Sequence, residues 1–328
     1  MTTDTAFKIT ETSESRINQV DLDDPGFGRE FADHMLEVEY LNGQWQEPEI
    51  KPFGNLDVSP ALNTLHYAQS VFEGLKAYYV DGSTVNLFRP EKNYERMARS
   101  CRRMCIPVID EEVFLGGLRE LINLDHEWVP EKEGNTLYMR PLACAFDEVI
   151  SAQVSDTYRF YIMTSPVGSY YQRPVKLTTS QKYVRAVKGG VGDAKTAGNY
   201  AASLYPAQQA KAKGFDQVLW LDAFEHEYIE EVGTMNIFFV IDGVLVTPKL
   251  SGTILPGITR DSVIQLAKHW DMPVEERQLS ITEVMEAGEN GTLEEAFGAG
   301  TAAVIAPVEE IHHGGQSVEV HQKARGPV

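Results

Sequence analysis

Cysteine is scarce in this chain of 328 residues. Only Cys101, Cys105 and Cys144 are present, an odd and sparse count that argues against a disulfide scaffold and fits a reducing compartment. Cys101 and Cys105 stand four apart in "SCRRMC", on one helical face. No histidine or further cysteine completes a metal set around them, so they read as packing residues and no metal is expected. Basic residues are outnumbered, 29 Lys and Arg against 48 Asp and Glu, and the formal net charge is −19. A field of that sign repels nucleic acid and anionic membranes, which argues against both as partners. It also repels anionic metabolites, so an anion site has to be built locally from Arg, Lys and backbone N–H groups. No apolar run approaches membrane-spanning length. The opening "MTTDTAFKITETSESRINQ" has no basic start and no hydrophobic stretch. It reads as a polar arm rather than a secretory signal, and a cytoplasmic protein is expected. No G-x-G-x-x-G opens a helix after a strand and no Walker sequence occurs, so dinucleotide and P-loop chemistry lose their usual support.

What is present suffices for a sizeable core, with 43% hydrophobic and 10% aromatic residues. The length suggests two domains. "HMLEVEYLNGQW" is a strand, an Asn-Gly turn and a strand, and "VFEGLKAYYVDGSTVNLFRP" repeats the idea around Asp81-Gly82. "RPEKNYERMARSCRRMCIP" starts a helix near Pro90, and Asp110 is a candidate N-cap for the helix in "DEEVFLGGLRELINL". "TLYMRPL" and "YRFYIMTSPVG" read as strands. The second half predicts a helix from about 197 to 213 closed by Gly214, a buried strand "QVLWL", and a hairpin across Asp242-Gly243. It continues with a helix after "LPG" and a capping box of Ser280 with Glu283. Strand and helix mix without strict alternation, so the class is α+β or mixed α/β. The expected division is a smaller N-terminal α/β domain at 1–168, a linker at 169–176 in "SPVGSYYQRPVKL", and a larger C-terminal domain at 177–328.

Several short stretches carry chemistry. "GDAKTAGNYAASL" sets one lysine, Lys195, among small residues, with Tyr200 five positions on. Small neighbours let a bulky group approach the chain, and a lysine with little polar surface around it is a potential nucleophile. Alone, it reads more readily as a solvated lysine on a turn, since lysine is mostly an exposed residue. "PGITR" at 256–260 places Gly257 and backbone amides at a helix start, and "GAGT" at 298–301 reads as a glycine turn with a nest of amides. "IEEVGTMN" holds Glu230 and Glu231, which point to opposite faces of a strand, one solvated and one buried. Arg89 follows a strand in "LFRP", and Arg140 lies within one in "YMRP", on the same face as Tyr138. Together these ask for one ligand with a phosphate, an electrophilic carbon for the lysine and a basic atom for a carboxylate. Pyridoxal 5′-phosphate has all three.

The order of these motifs resembles the branched-chain amino acid aminotransferases, in class IV of the pyridoxal-phosphate aminotransferases. The resemblance rests on "FADHML", "LHYAQSVFEGLKAY", "LFRP", "LYMRPL", "GGVGDAKTAGNY", "QVLWLD", "EVGTMNIF", "LPGITR" and "FGAGTAAV", from about residue 28 onward. It implies the two-domain fold type IV of D-amino acid aminotransferase-like enzymes, a homodimer, and transfer of the amino group between L-leucine, L-isoleucine or L-valine and 2-oxoglutarate. Lys195 would form the Schiff base with the cofactor, in a ping-pong cycle through ketimine and pyridoxamine forms, and shuttle the proton. Glu231 would pair with the pyridine nitrogen and Tyr200 with the ring oxygen. Arg89, Thr234, Ile258, Thr259 and Thr301 complete the cofactor-binding set. Tyr138, Arg140 and the turn amides of Thr301 and Ala302 would take the substrate carboxylate. Phe31, Tyr67, Phe72 and Tyr170 would line the apolar side-chain pocket. Glutamate must use the same pocket as leucine, which needs a cation or hydroxyl within reach, and Arg140 and the tyrosines are the available groups. Where some relatives carry a redox-sensitive C-x-x-C, this chain has Ala303 and Ala306, so that thiol switch is not expected. A D-amino acid aminotransferase or an aminodeoxychorismate lyase of the same fold is the nearest alternative. A non-catalytic anion-binding module is the alternative of another class.

Overall fold

Asn42 and Gly43 both take left-handed backbones, with φ of 54° and 81°, and turn the strand His34–Leu41 back onto Gln44–Trp45. That is the two-residue turn whose twist matches the strands it joins. The structure, a computed structural model, describes residues 6–171 and 173–320. Residues 1–5 of the expected arm, position 172 of the expected linker and the closing residues 321–328 lie outside the described residues.

The chain divides into two units, residues 1–170 with 194–198, and residues 171–193 with 199–328. Among the described residues the first unit holds a nine-stranded sheet. Its main path runs Lys8–Ile9, Glu49–Pro52, His34–Leu41, Tyr158–Val167, Thr136–Ala145, Leu75–Tyr79 and Val85–Leu87. Gln44–Trp45 and Ser70–Phe72 pair alongside this path. Helices Pro90–Arg103 and Glu111–Leu124 cover one face. Leu36, Val71, Leu137, Met139, Phe160 and Ile162 point into that core with Met97, Phe114, Leu118 and Leu121 from the helices. Because side chains alternate along a strand, the neighbours of Leu137 and Met139, namely Tyr138 and Arg140, stand on the opposite face.

The second unit also contains a nine-stranded sheet among the described residues. Strand Asn236–Ile241 is apolar after its first residue and is covered on both faces. Ile237 and Phe239 enter a core with helix Ile281–Asn290, while Phe238 and Val240 enter another with helix Ile258–His269. Among the described residues no helix is long and apolar enough to cross a membrane.

Several expectations differ from the observed structure. The helix expected over 197–213 is interrupted, running as Ala197–Ala201 and Leu204–Ala212. Pro206 explains the break, since its ring excludes the carbonyl four residues back and it has no N–H to donate. "GAGT" is not a glycine turn: Gly298 and Gly300 lie within strand Leu293–Gly300, and the reversal is made by residues 301–303. Gly298 is closely packed instead: a Cβ there would stand 2.6 Å from Met235 Cε, so the methionine side chain would have to move. Cys105 falls beyond the helix end at Arg103 and is exposed with φ 55°, so it shares no helical face with buried Cys101. Ser280 caps its helix by accepting from Glu283 N–H at 3.0 Å, but the Glu283 carboxylate turns to Arg277 rather than back to Ser280. The segment 194–198, placed by expectation in the C-terminal domain, groups with the first unit. Its backbone is bonded there to Ser100 and Phe72.

Gly43→Ala puts a Cβ on a left-handed residue. It is expected to lower stability by about 1–2 kcal/mol in urea denaturation, with the m-value unchanged.

Candidate active site

Lys195 is fixed by its own backbone. Its N–H donates to Ser100 Oγ at 2.9 Å, and its carbonyl accepts from Phe72 N–H at 3.0 Å. The next residue, Thr196, donates from Oγ1 to Ser70 O at 3.0 Å and bridges to Val71. The lysine thus joins the edge of strand Ser70–Phe72 as a short extra partner. Its Nζ stands 4.5 Å from the centroid of the Phe72 ring. The Arg140 guanidinium lies 4.9 Å from the same ring and donates to Tyr138 Oη at 3.1 Å. Two cations sharing one aromatic ring form an electropositive, half-buried patch suited to a carboxylate.

Tyr138 explains the glycine of "FEG". A Cβ on Gly74 would lie 1.9 Å from Tyr138 Oη, so only glycine leaves room for the phenol. Phe27 packs edge-on against Tyr138 at 5.4 Å and against Tyr170 at 4.9 Å. The structure therefore links Lys195, Phe72, Arg140, Tyr138 and Tyr170 in one run of contacts, with Phe27 as an unforeseen member. Phe31 instead stacks on Phe53 at 4.6 Å. Tyr67 is 40% exposed beside His66. Both thus have neighbours other than the members of the run. Arg89 sits at the N-cap of helix Pro90–Arg103 with a left-handed backbone, φ 52°, a conformation that is uncommon for a non-glycine residue.

A second residue missed in the sequence is Glu73. It is fully buried, and Arg96 donates to it twice, from Nε and Nη2 at 2.8 Å each, while Asn93 Nδ2 donates at 2.8 Å. Burial pushes its carboxyl up. The Arg96 charge and hydrogen bonds outweigh that, with help from Lys195 and Asn93, and hold it below the usual range. The signal was an acid inside the apolar run "SVFEGLKAY", which has to find a buried cation.

In the second unit, Glu230 and Glu231 occupy strand Ile229–Val232. The expectation that one would be solvated fails: they are 7% and 2% exposed. The alternation expected of them is also broken, because the pairing with strand Gln217–Leu221 shifts register at Glu230, and both acids clamp one loop, Ser251 to Leu255. Glu231 Oε1 accepts from Leu255 N–H at 2.5 Å, and its Oε2 pairs with Arg185 Nε at 3.0 Å. Arg185 also donates from Nη1 to the carbonyls of Thr253 at 2.6 Å and Gly192 at 3.2 Å. Arg185 was not singled out in "YVRAV", although a lone cation in an apolar stretch carries the same signal as Glu73.

The loop then reaches Gly257, the N-cap of helix Ile258–His269. A Cβ at Gly257 would meet Asn236 Oδ1 at 2.0 Å, and Asn236 Nδ2 in turn donates to Leu255 O at 3.0 Å. The first helical bond runs from Asp261 N–H to Gly257 O, so the amides of Ile258 and Thr259 have no acceptor within the helix. Helix starts of this kind attract anions. Tyr200 is half-buried in the short helix Ala197–Ala201. Thr234 is exposed in the turn before strand Asn236–Ile241, and Thr301 and Ala302 form the turn after Gly300.

These features define the class IV aminotransferase type of α+β fold. Residues 70–311 match the family model "Amino-transferase class IV", and the chain belongs to that family. It is 52% identical over 306 residues to branched-chain-amino-acid aminotransferase 2 of Bacillus subtilis, covering 92% of this chain and 84% of that one. It is 46% identical over 306 residues to the branched-chain-amino-acid aminotransferase of Mycolicibacterium smegmatis, covering 90% and 83%. Among solved structures it resembles the Escherichia coli branched-chain amino acid aminotransferase, at a TM-score of 0.69 and 29% identity over 86% and 88% of the chains. It also resembles the branched-chain aminotransferase of the thermophilic archaeon Thermoproteus uzoniensis, solved with norvaline, at a TM-score of 0.71 and 29% identity over 86% and 89%.

Arg96→Leu leaves the Glu73 carboxylate buried without its cation. It is expected to cost about 3–5 kcal/mol in denaturant unfolding, and the double variant Glu73→Leu/Arg96→Leu is expected to recover part of that loss.

Proposed function

We propose that this protein is a branched-chain-amino-acid transaminase, exchanging the amino group of leucine, isoleucine or valine with 2-oxoglutarate, with pyridoxal 5′-phosphate as cofactor. The observation that carries the reading is the placement of the Lys195 amine over Phe72, whose ring also carries Arg140. The named relatives support the substrate class.

The residues present fit the cofactor. Gly257 caps a helix whose first amides, at Ile258 and Thr259, suit a phosphate. Glu231 is a buried carboxylate held in place by Leu255 and Arg185, and each oxygen of a carboxylate accepts more than one hydrogen bond. When bound, pyridoxal 5′-phosphate supplies an aldehyde carbon and an electron-withdrawing ring. Lys195 would bind it through Nζ and then move a proton at the substrate Cα. Glu231 would hold a proton at the ring nitrogen, and the Arg185 ion pair favours the charged carboxylate needed for that. Tyr200 would orient the ring oxygen. Arg89, Thr234, the amides of Ile258 and Thr259, and Thr301 would hold the remaining polar groups of the cofactor.

Arg140 and Tyr138, with Thr301 and Ala302, would receive substrate carboxylates. Phe31, Tyr67, Phe72 and Tyr170 would exclude water from the aliphatic side chain. We further propose two domains with the boundaries 1–168 and 177–328 joined by 169–176, a homodimer, and a cytoplasmic location. The free cysteines support that location.

Borohydride treatment of the cofactor-loaded protein is expected to leave a phosphopyridoxyl group on Lys195, detected by peptide mass. A product on another residue, or none, would overturn the reading. Arg140→Met is expected to lower kcat/KM for 2-oxoglutarate about tenfold more than for the 2-oxo acid of leucine, because only the former places a second carboxylate in the pocket. Equal losses would remove Arg140 from that role.

A further inference from the structure

The second unit contains a cavity of about 280 Å³ that the residues above leave unused. Its lining includes Glu230, whose Oε1 accepts from Thr253 Oγ1 at 2.5 Å while Oε2 has no partner among the described residues. A buried carboxylate oxygen without a donor is costly, and burial pushes this carboxyl up to about 7. The neighbouring acid Asp222 has no such need, since it accepts from the N–H groups of Phe224, Glu225, Glu227 and Tyr228. Two exposed cations, Lys188 and Lys249, line the same cavity, and Val187, Ile254 and Phe224 give it apolar wall. Phe224 is 82% exposed, an aromatic ring with little to cover it. The volume falls just below the ~300–1,000 Å³ of drug-sized pockets, which suits one small metabolite.

We propose that this cavity is a second binding site, for a zwitterionic α-amino acid with an apolar side chain. The ligand's ammonium donates to Glu230 Oε2, its carboxylate meets Lys188 and Lys249, and its side chain lies against Val187, Ile254 and Phe224. An inorganic anion would use the lysines and leave the acid unpaired. An apolar amine would do the reverse. Only the zwitterion answers both. The position gives the site a consequence. Glu230 is adjacent to Glu231, and the two acids hold Thr253 and Leu255 of one loop, so occupancy acts on the loop that orients Glu231. That regulatory role rests on the transaminase reading, whereas binding itself does not.

The test is equilibrium dialysis with radiolabelled L-leucine. The protein is first saturated with N-(5′-phosphopyridoxyl)-L-leucine, which occupies the proposed active site. The expected result is one further leucine per chain, with affinity weakened about tenfold in Glu230→Gln and in Lys249→Glu, as loss of one charged contact implies. Lys249→Glu changes an exposed side chain and leaves the core packing intact. No leucine beyond the adduct, or binding that neither variant weakens, overturns the site. Wash-out of the adduct would count against the transaminase reading instead. Leucine binding to the protein would then still be read through the difference between the parent and the two variants.

Discussion

Both backbone polar groups of Lys195 are taken within the first unit, by Ser100 Oγ and by Phe72 N–H. Everything else proposed for the lysine depends on that double attachment. A lysine on a turn is ordinarily a solvated side chain on a mobile stem. Here the backbone is held like a strand residue, and the amine is directed over an aromatic ring that Arg140 shares. Among the small residues around it, Gly192 is tightly packed whereas Gly198 has room for a Cβ. A Cβ at Gly192 would lie 2.4 Å from Thr253 O, so bulk could not be added there without moving a backbone.

Buried ion pairs organise both units. Glu73 with Arg96 ties strand Ser70–Phe72 and its following turn to helix Pro90–Arg103. Glu231 with Arg185 ties strand Ile229–Val232 to the loop before helix Ile258–His269. Such pairs are weak sources of net stability, because desolvation offsets most of their attraction. Their value is positional: breaking one leaves an uncompensated charge, so the chain is confined to arrangements that keep both partners together. In a chain of net charge −19, basic residues are outnumbered, and Arg96 and Arg185 are among those committed to buried acids. The remaining cations near the lysine, above all Arg140, are therefore placed rather than incidental.

Glycine plays a parallel role through what it leaves out. Gly74 makes space for the Tyr138 phenol and Gly257 for the Asn236 amide. In each case the missing Cβ lets a polar side chain reach a backbone turn that carries site residues. The motifs "FEG" and "LPG" are therefore packing requirements as much as conformational ones.

Local signals determined much of this protein. Alternation placed Tyr138 and Arg140 on one strand face, Asn42-Gly43 specified its hairpin, and Gly257 marked the start of a helix, because each depends on residues within a few positions. The joint presence of Lys195, "EVGTMN" and "PGITR" also pointed to the family before any contact was known. Tertiary structure alone decided the rest. No local pattern says that Arg96 lies under Glu73, that Arg185 holds Glu231, or that both acids of the pair are buried. Nor does it say that segment 194–198 leaves the second unit to pair with the strand at 70–72. Those outcomes are set by long-range desolvation and close packing, in which a charge must meet its partner and a glycine its intruder wherever in the chain they lie.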